Sequence, residues 1–172
     1  MTPEFSRPER LDAIGAGERE VRIAATEAER AALAMRFGVL SVERLDASFR
    51  VKRETAGIAV RGRVTGALVQ ACTVTGVPLN ATIDEPVALL FVEALDDQEE
   101  VELDAGALDT VEIEGGAVDL GEAAAETMAL ALDPFPRSPD AEAVLREAGV
   151  ISEDEHRPYS PLQDLKALME KR

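Results

Sequence analysis

Tryptophan is absent from this chain, and cysteine, histidine and tyrosine occur once each. Aromatic residues are only 3% of the total, so the core must be built from Val, Leu, Ile and Ala. One cysteine excludes an internal disulfide framework, and one thiolate with no nearby histidine excludes a structural zinc site. The sole histidine, His156, lies in the polar run Glu153-Asp154-Glu155-His156-Arg157, where a solvated loop residue is the simpler reading than a general base. No apolar run approaches the roughly 20 residues that a spanning helix needs. The stretch Met1–Pro8 lacks the apolar segment of a signal peptide, so the expected location is the cytoplasm, away from any membrane. No Ser/His/Asp set or Rossmann fingerprint is present. Gly62-Arg63-Val64-Thr65-Gly66 sits inside a strand pattern, not at a strand-to-helix junction, and is no phosphate loop. No cofactor and no metal are expected.

Basic residues are missing from a whole segment. Residues 1–70 carry 12 Lys/Arg and 10 Asp/Glu, whereas residues 71–136 carry 16 Asp/Glu and neither Lys nor Arg. Residues 137–172 carry 6 basic and 8 acidic residues, and the formal net charge of the 172-residue chain is −16. Tight binding to a phosphate backbone needs basic clusters that release counterions. Direct nucleic-acid contact is therefore disfavoured, and a basic protein is the expected partner. The densest acidic run, Asp96, Asp97, Glu99, Glu100, Glu102 and Asp104, suits such a partner. It lacks the glycine-centred spacing of an EF-hand, and a solvated or partner-facing loop outweighs a cation site.

What is there reads as one α+β domain. Residues 1–18 mix Pro, Gly and charge without periodicity and suggest an arm, docked if at all by Phe5, Leu11 and Ile14. Glu20–Ala24 alternates as a first strand. Thr26 and Glu29 form a capping box for a helix ending at Gly38. Along residues 42–53, Leu45, Ala47, Phe49 and Val51 face one way and Asp46, Ser48, Arg50 and Lys52 the other, as in a half-wet antiparallel strand. From Ile58 the even positions Val60, Val64, Leu68, Cys72 and Val74 continue one face, with Gly62 and Gly66 marking a bend or a close backbone approach. The turn is expected over Gly76–Asn80. The run Val87–Val92 is expected to be buried on both faces or central, with Pro86 a break or an edge position. A short strand, Thr110–Glu114, precedes a second capping box at Asp119, which opens a helix over Leu120–Leu132. A third helix is expected to start at Ser138-Pro139 and run to Ala148. Residues 151–172 read as a polar, mobile linker and a short amphipathic helix striped with Leu162 and Leu165, which needs a docking surface to be stable. The fold class is a mainly antiparallel, bent sheet with helices packed on it; open sheet and partly closed barrel both remain.

Val69-Gln70-Ala71-Cys72-Thr73-Val74-Thr75-Gly76-Val77-Pro78, with Gly62–Gly66 before it and Ile83-Asp84-Glu85-Pro86 and the apolar run after it, resembles the YceD family of large ribosomal RNA subunit accumulation proteins. Ala28-Glu29-Arg30-Ala31-Ala32-Leu33-Ala34 is similar to a helix of its alphaproteobacterial-type branch. Val118-Asp119-Leu120-Gly121-Glu122 resembles the family's strand-to-helix junction, and Ser160-Pro161-Leu162-Gln163-Asp164-Leu165-Lys166 its C-terminal element. The likeness spans about residues 20–170. Many members carry Cys-x-x-Cys where this chain has Cys72 and Thr75, a departure that argues against an essential metal or disulfide here. Gln70, Cys72, Thr75, Asp119 and Leu120 are therefore read as structural signature positions. The resemblance implies a non-enzymatic role in large-subunit ribosomal RNA accumulation or ribosome assembly, and supplies no catalytic residues. With the charge segregation, it points to a basic ribosomal protein or assembly factor as partner. A carboxylate-metal enzyme acting on RNA or nucleotides, and a general acidic chaperone for basic proteins, are the competing readings.

Overall fold

Alternation of apolar and polar side chains lays down three long strands in succession. The computed structural model describes residues 3–93, 109–113 and 115–151. Its strands are β1 (Pro8–Arg10), β2 (Arg19–Ala24), β3 (Ser41–Glu54), β4 (Gly57–Ala71), β5 (Pro78–Val92), β6 (Asp109–Glu112) and β7 (Ala117–Asp119). Its helices are α1 (Glu27–Phe37), α2 (Leu120–Leu130) and α3 (Ala141–Glu147), with a short 3-10 turn at Leu11–Ala13. The main sheet runs in the order β2-β3-β4-β5-β6 and stays open; it does not close into a barrel. Its first four strands are antiparallel neighbours, and β6 joins β5 in parallel. β1 and β7 form a separate antiparallel ribbon. No helix among the described residues is long and apolar enough to cross a membrane.

One face of the sheet is dry. Leu45, Ala47, Phe49 and Val51 of β3 and Ile58, Val60, Val64 and Leu68 of β4 are buried, as the period of two requires. α1 covers this face with Leu33 and Ala34, and α2 with Leu120, Ala124, Ala125 and Met128. Full burial of Leu120 and Met128 stabilises the fold by about 1.5–3 kcal/mol each. α1 begins and ends where its signals stand. The Thr26 hydroxyl accepts from the Glu29 N–H, Glu29 reaches back to the Thr26 N–H, and Gly38 stops the helix at φ +66°.

Four expectations need correction, at the end of β4, the turn after it, the end of α2 and the start of α3, and two open alternatives, at Pro86 and along Val87–Val92, are decided. β4 ends at Ala71, so Cys72 and Val74 leave the strand; the Cys72 N–H donates to Val77 O at 2.8 Å and the Gly76 N–H to Cys72 O at 2.9 Å. The turn is thus Cys72–Val77, and Pro78–Asn80 already pair within β5. Pro86 does not break β5: it pairs opposite Arg63, and among the described residues β6 joins the other side only from Leu89, which puts the proline at an edge position. Val87–Val92 is not buried on both faces, since Val87 and Phe91 are buried while Ala88 is exposed; the run is instead central from Leu89, flanked by β4 and β6. α2 ends at Leu130, and α3 begins at Ala141 because Pro139 and Asp140 form a turn instead of its first helical residues.

The N-terminal segment packs into the body. Phe5 is fully buried and Ile14 nearly so, while the Arg53 guanidinium donates to the Ile14 and Leu11 carbonyls. Arg7 lies 4.7 Å over the Phe5 ring and donates to both oxygens of Glu29, at 2.7 and 3.0 Å. That hydrogen bond, opposed by burial and aided by Thr26, holds the Glu29 carboxyl down at about 2. A depressed carboxylate stabilises the fold fully above pH 4.5 and loses that contribution as pH falls toward 2. Glu29→Gln is therefore expected to lower stability by about 1–2 kcal/mol at pH 6, after allowance for solvent screening. The gap should shrink as pH falls below 4.5 and be largely lost only near pH 2, as read from urea midpoints across that range.

Candidate protein interface

A groove of about 570 Å³ opens between α2 and the β5–β6 end of the sheet. Leu89, Phe91, Val111 and Ala123 give it apolar walls, and Glu112, Asp119, Glu122 and Glu126 supply carboxylates. Glu122 and Glu126 reach the same side because positions four apart on a helix are neighbours. Glu122 is engaged: Arg36 donates to its two oxygens at 3.0 and 2.6 Å and to Glu4 at 3.0 Å. Glu112 and Glu126 are exposed and, among the described residues, have no ion-pair partner. Among the described residues, no lysine or arginine lines the groove. Its chemistry is that of a receptor for cationic side chains with apolar neighbours.

The outer face of the sheet carries the opposite sign. Cross-strand register brings Arg22, Arg50, Lys52, Arg61 and Arg63 together, with Arg50 directly opposite Arg61. Most of this charge is answered locally, by Arg22–Glu20, Arg61–Glu54 and Arg63–Asp84 pairs at 2.7, 3.1 and 2.5 Å. Such exposed pairs contribute little stability, but they leave a balanced face rather than a basic cluster.

Gln70, Cys72 and Thr75 meet at the corner where β4 turns into β5. The Cys72 sulfur accepts N–H bonds from Ser138 at 3.2 Å and Thr75 at 3.4 Å, and lies 3.5 Å from the Ser138 hydroxyl. Burial pushes the thiol up, but these hydrogen bonds win and bring it down to about 6. The Gln70 amide donates to Asp133 O at 2.9 Å, and Thr73 donates to Pro136 O through its N–H and its hydroxyl. These contacts fasten the loop after α2 to the sheet. At 3% exposure Cys72 has little access to reagents.

Asp119 and Leu120 stand at the other junction. Asp119 Oδ1 accepts from the N–H groups of Arg7, Gly121 and Glu122 at 2.7, 2.9 and 3.1 Å, and Oδ2 from the Ser6 hydroxyl at 2.5 Å. The residue caps α2 and grips the N-terminal segment at once, while Leu120 is fully buried beneath it. Asp96, Asp97, Glu99, Glu100, Glu102, Asp104, Leu162 and Leu165 lie outside the described residues. Sequence reasoning pointed to the acidic segment without singling out Glu112 and Glu126, and it missed Ser138. The spacing of Glu122 and Glu126 was a usable signal for one of them, whereas Ser138 is 66 positions from Cys72 and gave none.

A family model described as "Large ribosomal RNA subunit accumulation protein YceD" matches residues 60–169. No curated protein and no solved structure matches the chain. The matched stretch begins within β4 and takes in the Cys72 corner, both sides of the groove and the Asp119 junction. The family's description implies a role in the accumulation of large-subunit ribosomal RNA. With well over half of its length matched, the chain belongs to the YceD family.

Proposed function

We propose that the protein supports large-subunit ribosomal RNA accumulation as a non-enzymatic factor in the cytoplasm, by holding a basic ribosomal protein or assembly factor on its carboxylate-rich side. The observation that carries this reading is the groove between α2 and β6, where Glu112 and Glu126 stand exposed over apolar walls and, among the described residues, no basic residue belongs to the lining. The whole segment 71–136 contributes 16 acidic and no basic side chains, so its field reaches well beyond the groove. Such a field steers a cationic partner toward the site and rejects anionic ones. At an ionic strength of about 0.1 M the screening length is about 10 Å, which makes the attraction salt-sensitive. RNA is then reached through the bound protein.

Pull-down from a ribosomal protein fraction tests this. The wild-type chain is expected to retain a basic protein at about 0.05 M salt and release it near 0.5 M, following that screening. The double variant Glu112→Lys/Glu126→Lys alters two exposed side chains and should abolish retention with the fold intact. Equal retention by the two proteins, or no basic protein retained by either, would contradict the reading.

A further inference from the structure

We propose that the open edge of β5 takes an extended basic segment of the partner as an added strand. This deepens the reading above and rests on it. β5 pairs with β4 without interruption from Pro78 to Phe91, whereas β6 covers its other side only from Leu89 to Val92. No other described strand lies along Leu79–Ala88, and α2 packs on the face of the sheet, not along this edge.

The phase of the backbone follows from one bond. The Ile113 N–H donates to Val92 O at 2.7 Å, on the side away from β4. Along an unbroken antiparallel ladder alternate residues turn both backbone groups to the same side. Asn80, Thr82 and Asp84 therefore offer N–H and C=O groups outward. Pro86 falls in the same phase, where its missing N–H costs the β4 ladder nothing, and it halts an added strand there. The usable length is Leu79–Glu85, long enough for an ordinary strand.

Chemistry selects the occupant. Asp84, Glu85 and Asp109 are exposed along this edge, and Arg63 engages only Asp84. Beside them a groove of about 310 Å³ runs between Glu85–Leu89 and the end of α2, where Leu130 is 88% exposed. A strand that alternates Lys or Arg with apolar residues meets Glu85 and Asp109 on the α2 side of the edge with its charged set, whose alkyl stems lie over Leu130, and turns its apolar set to the outer face. A second copy of this chain fits poorly, because edge-to-edge pairing sets two strands carrying Asp84 and Glu85 side by side. Nucleic acid is repelled by the same carboxylates.

The test uses the full-length chain and a short synthetic peptide alternating Lys and Val. Its control is the same peptide methylated on alternate backbone nitrogens, which keeps the charge and removes the ladder donors. Calorimetric titration at low salt is expected to give binding at least about ten-fold weaker for the methylated peptide, and amide exchange at Asn80 and Asp84 should slow only with the parent. Thr82→Pro removes one outward N–H and no charge, and should weaken the parent peptide similarly. Equal binding of both peptides, or no binding of either, overturns strand addition. In those cases the broader reading still stands if the wild-type chain retains a basic protein and Glu112→Lys/Glu126→Lys does not; it fails if the wild-type chain retains none.

Discussion

Gly62→Ala is expected to lower the unfolding free energy by about 2–4 kcal/mol. A Cβ at Gly62 would stand 2.0 Å from the Ser48 carbonyl oxygen and 2.9 Å from the Phe49 Cα. Both are backbone atoms of the adjacent strand β3, so no side-chain rotation relieves the contact. Relief requires β3 and β4 to part at the Phe49↔Gly62 pair, under the fully buried Phe49 ring. Gly66 is the internal control. Its added Cβ would meet the Met128 Cε at 3.0 Å and Arg44 O at 3.2 Å, and the end of a methionine side chain yields easily. Urea midpoints for the two variants should differ clearly, with Gly66→Ala the milder. Equal effects would show that Gly62 does not mark a close approach of the strands.

Asp119→Ala is expected to cost about 2–4 kcal/mol, from loss of a helix cap together with hydrogen bonds to a charged group. Four donors converge on this carboxylate, two from α2 and two from the segment Ser6-Arg7. Gly121 belongs to the same contact, since a Cβ there would lie 2.5 Å from Phe5 O. The variant therefore loosens both partners at once: Phe5 leaves its pocket, and the strand pair β1–β7 frays. Proteolysis is expected to nick residues 3–18 in Asp119→Ala long before the rest of the chain unfolds. An ordinary cap mutation, costing about 1 kcal/mol with the segment still protected, would argue against the double role.

The parts of the fold that were legible in the sequence are those whose signals are local. Thr26, Glu29 and Gly38 mark the two ends of α1 by hydrogen-bond chemistry that needs only a few neighbouring residues. Leu45, Ala47, Phe49 and Val51 mark the buried face of β3 by period alone. Alternation could not say where β4 stops, because Cys72 and Val74 keep the period while Cys72 turns its N–H to Val77 O. Pro86 was ambiguous for a different reason: whether it breaks a strand or sits at an edge depends on β6, more than 20 positions away. Docking of Phe5 under α2 and the bond from the Ser138 N–H to Cys72 Sγ are likewise contacts between distant segments. The acidic character of residues 71–136 was plain from composition. Which carboxylates share a groove with Leu89 and Phe91 required the parallel pairing of β6, which no periodicity announces.

In the proposed function, the carboxylate-lined groove between α2 and β6 serves large-subunit ribosomal RNA accumulation. The most direct measurement is the ratio of large- to small-subunit ribosomal RNA in cells depleted of the protein and supplied with either form of it. The wild-type chain should restore the ratio, and Glu112→Lys/Glu126→Lys, expressed to the same level and folded, should leave it low. Full restoration by the charge-reversed chain would contradict the account.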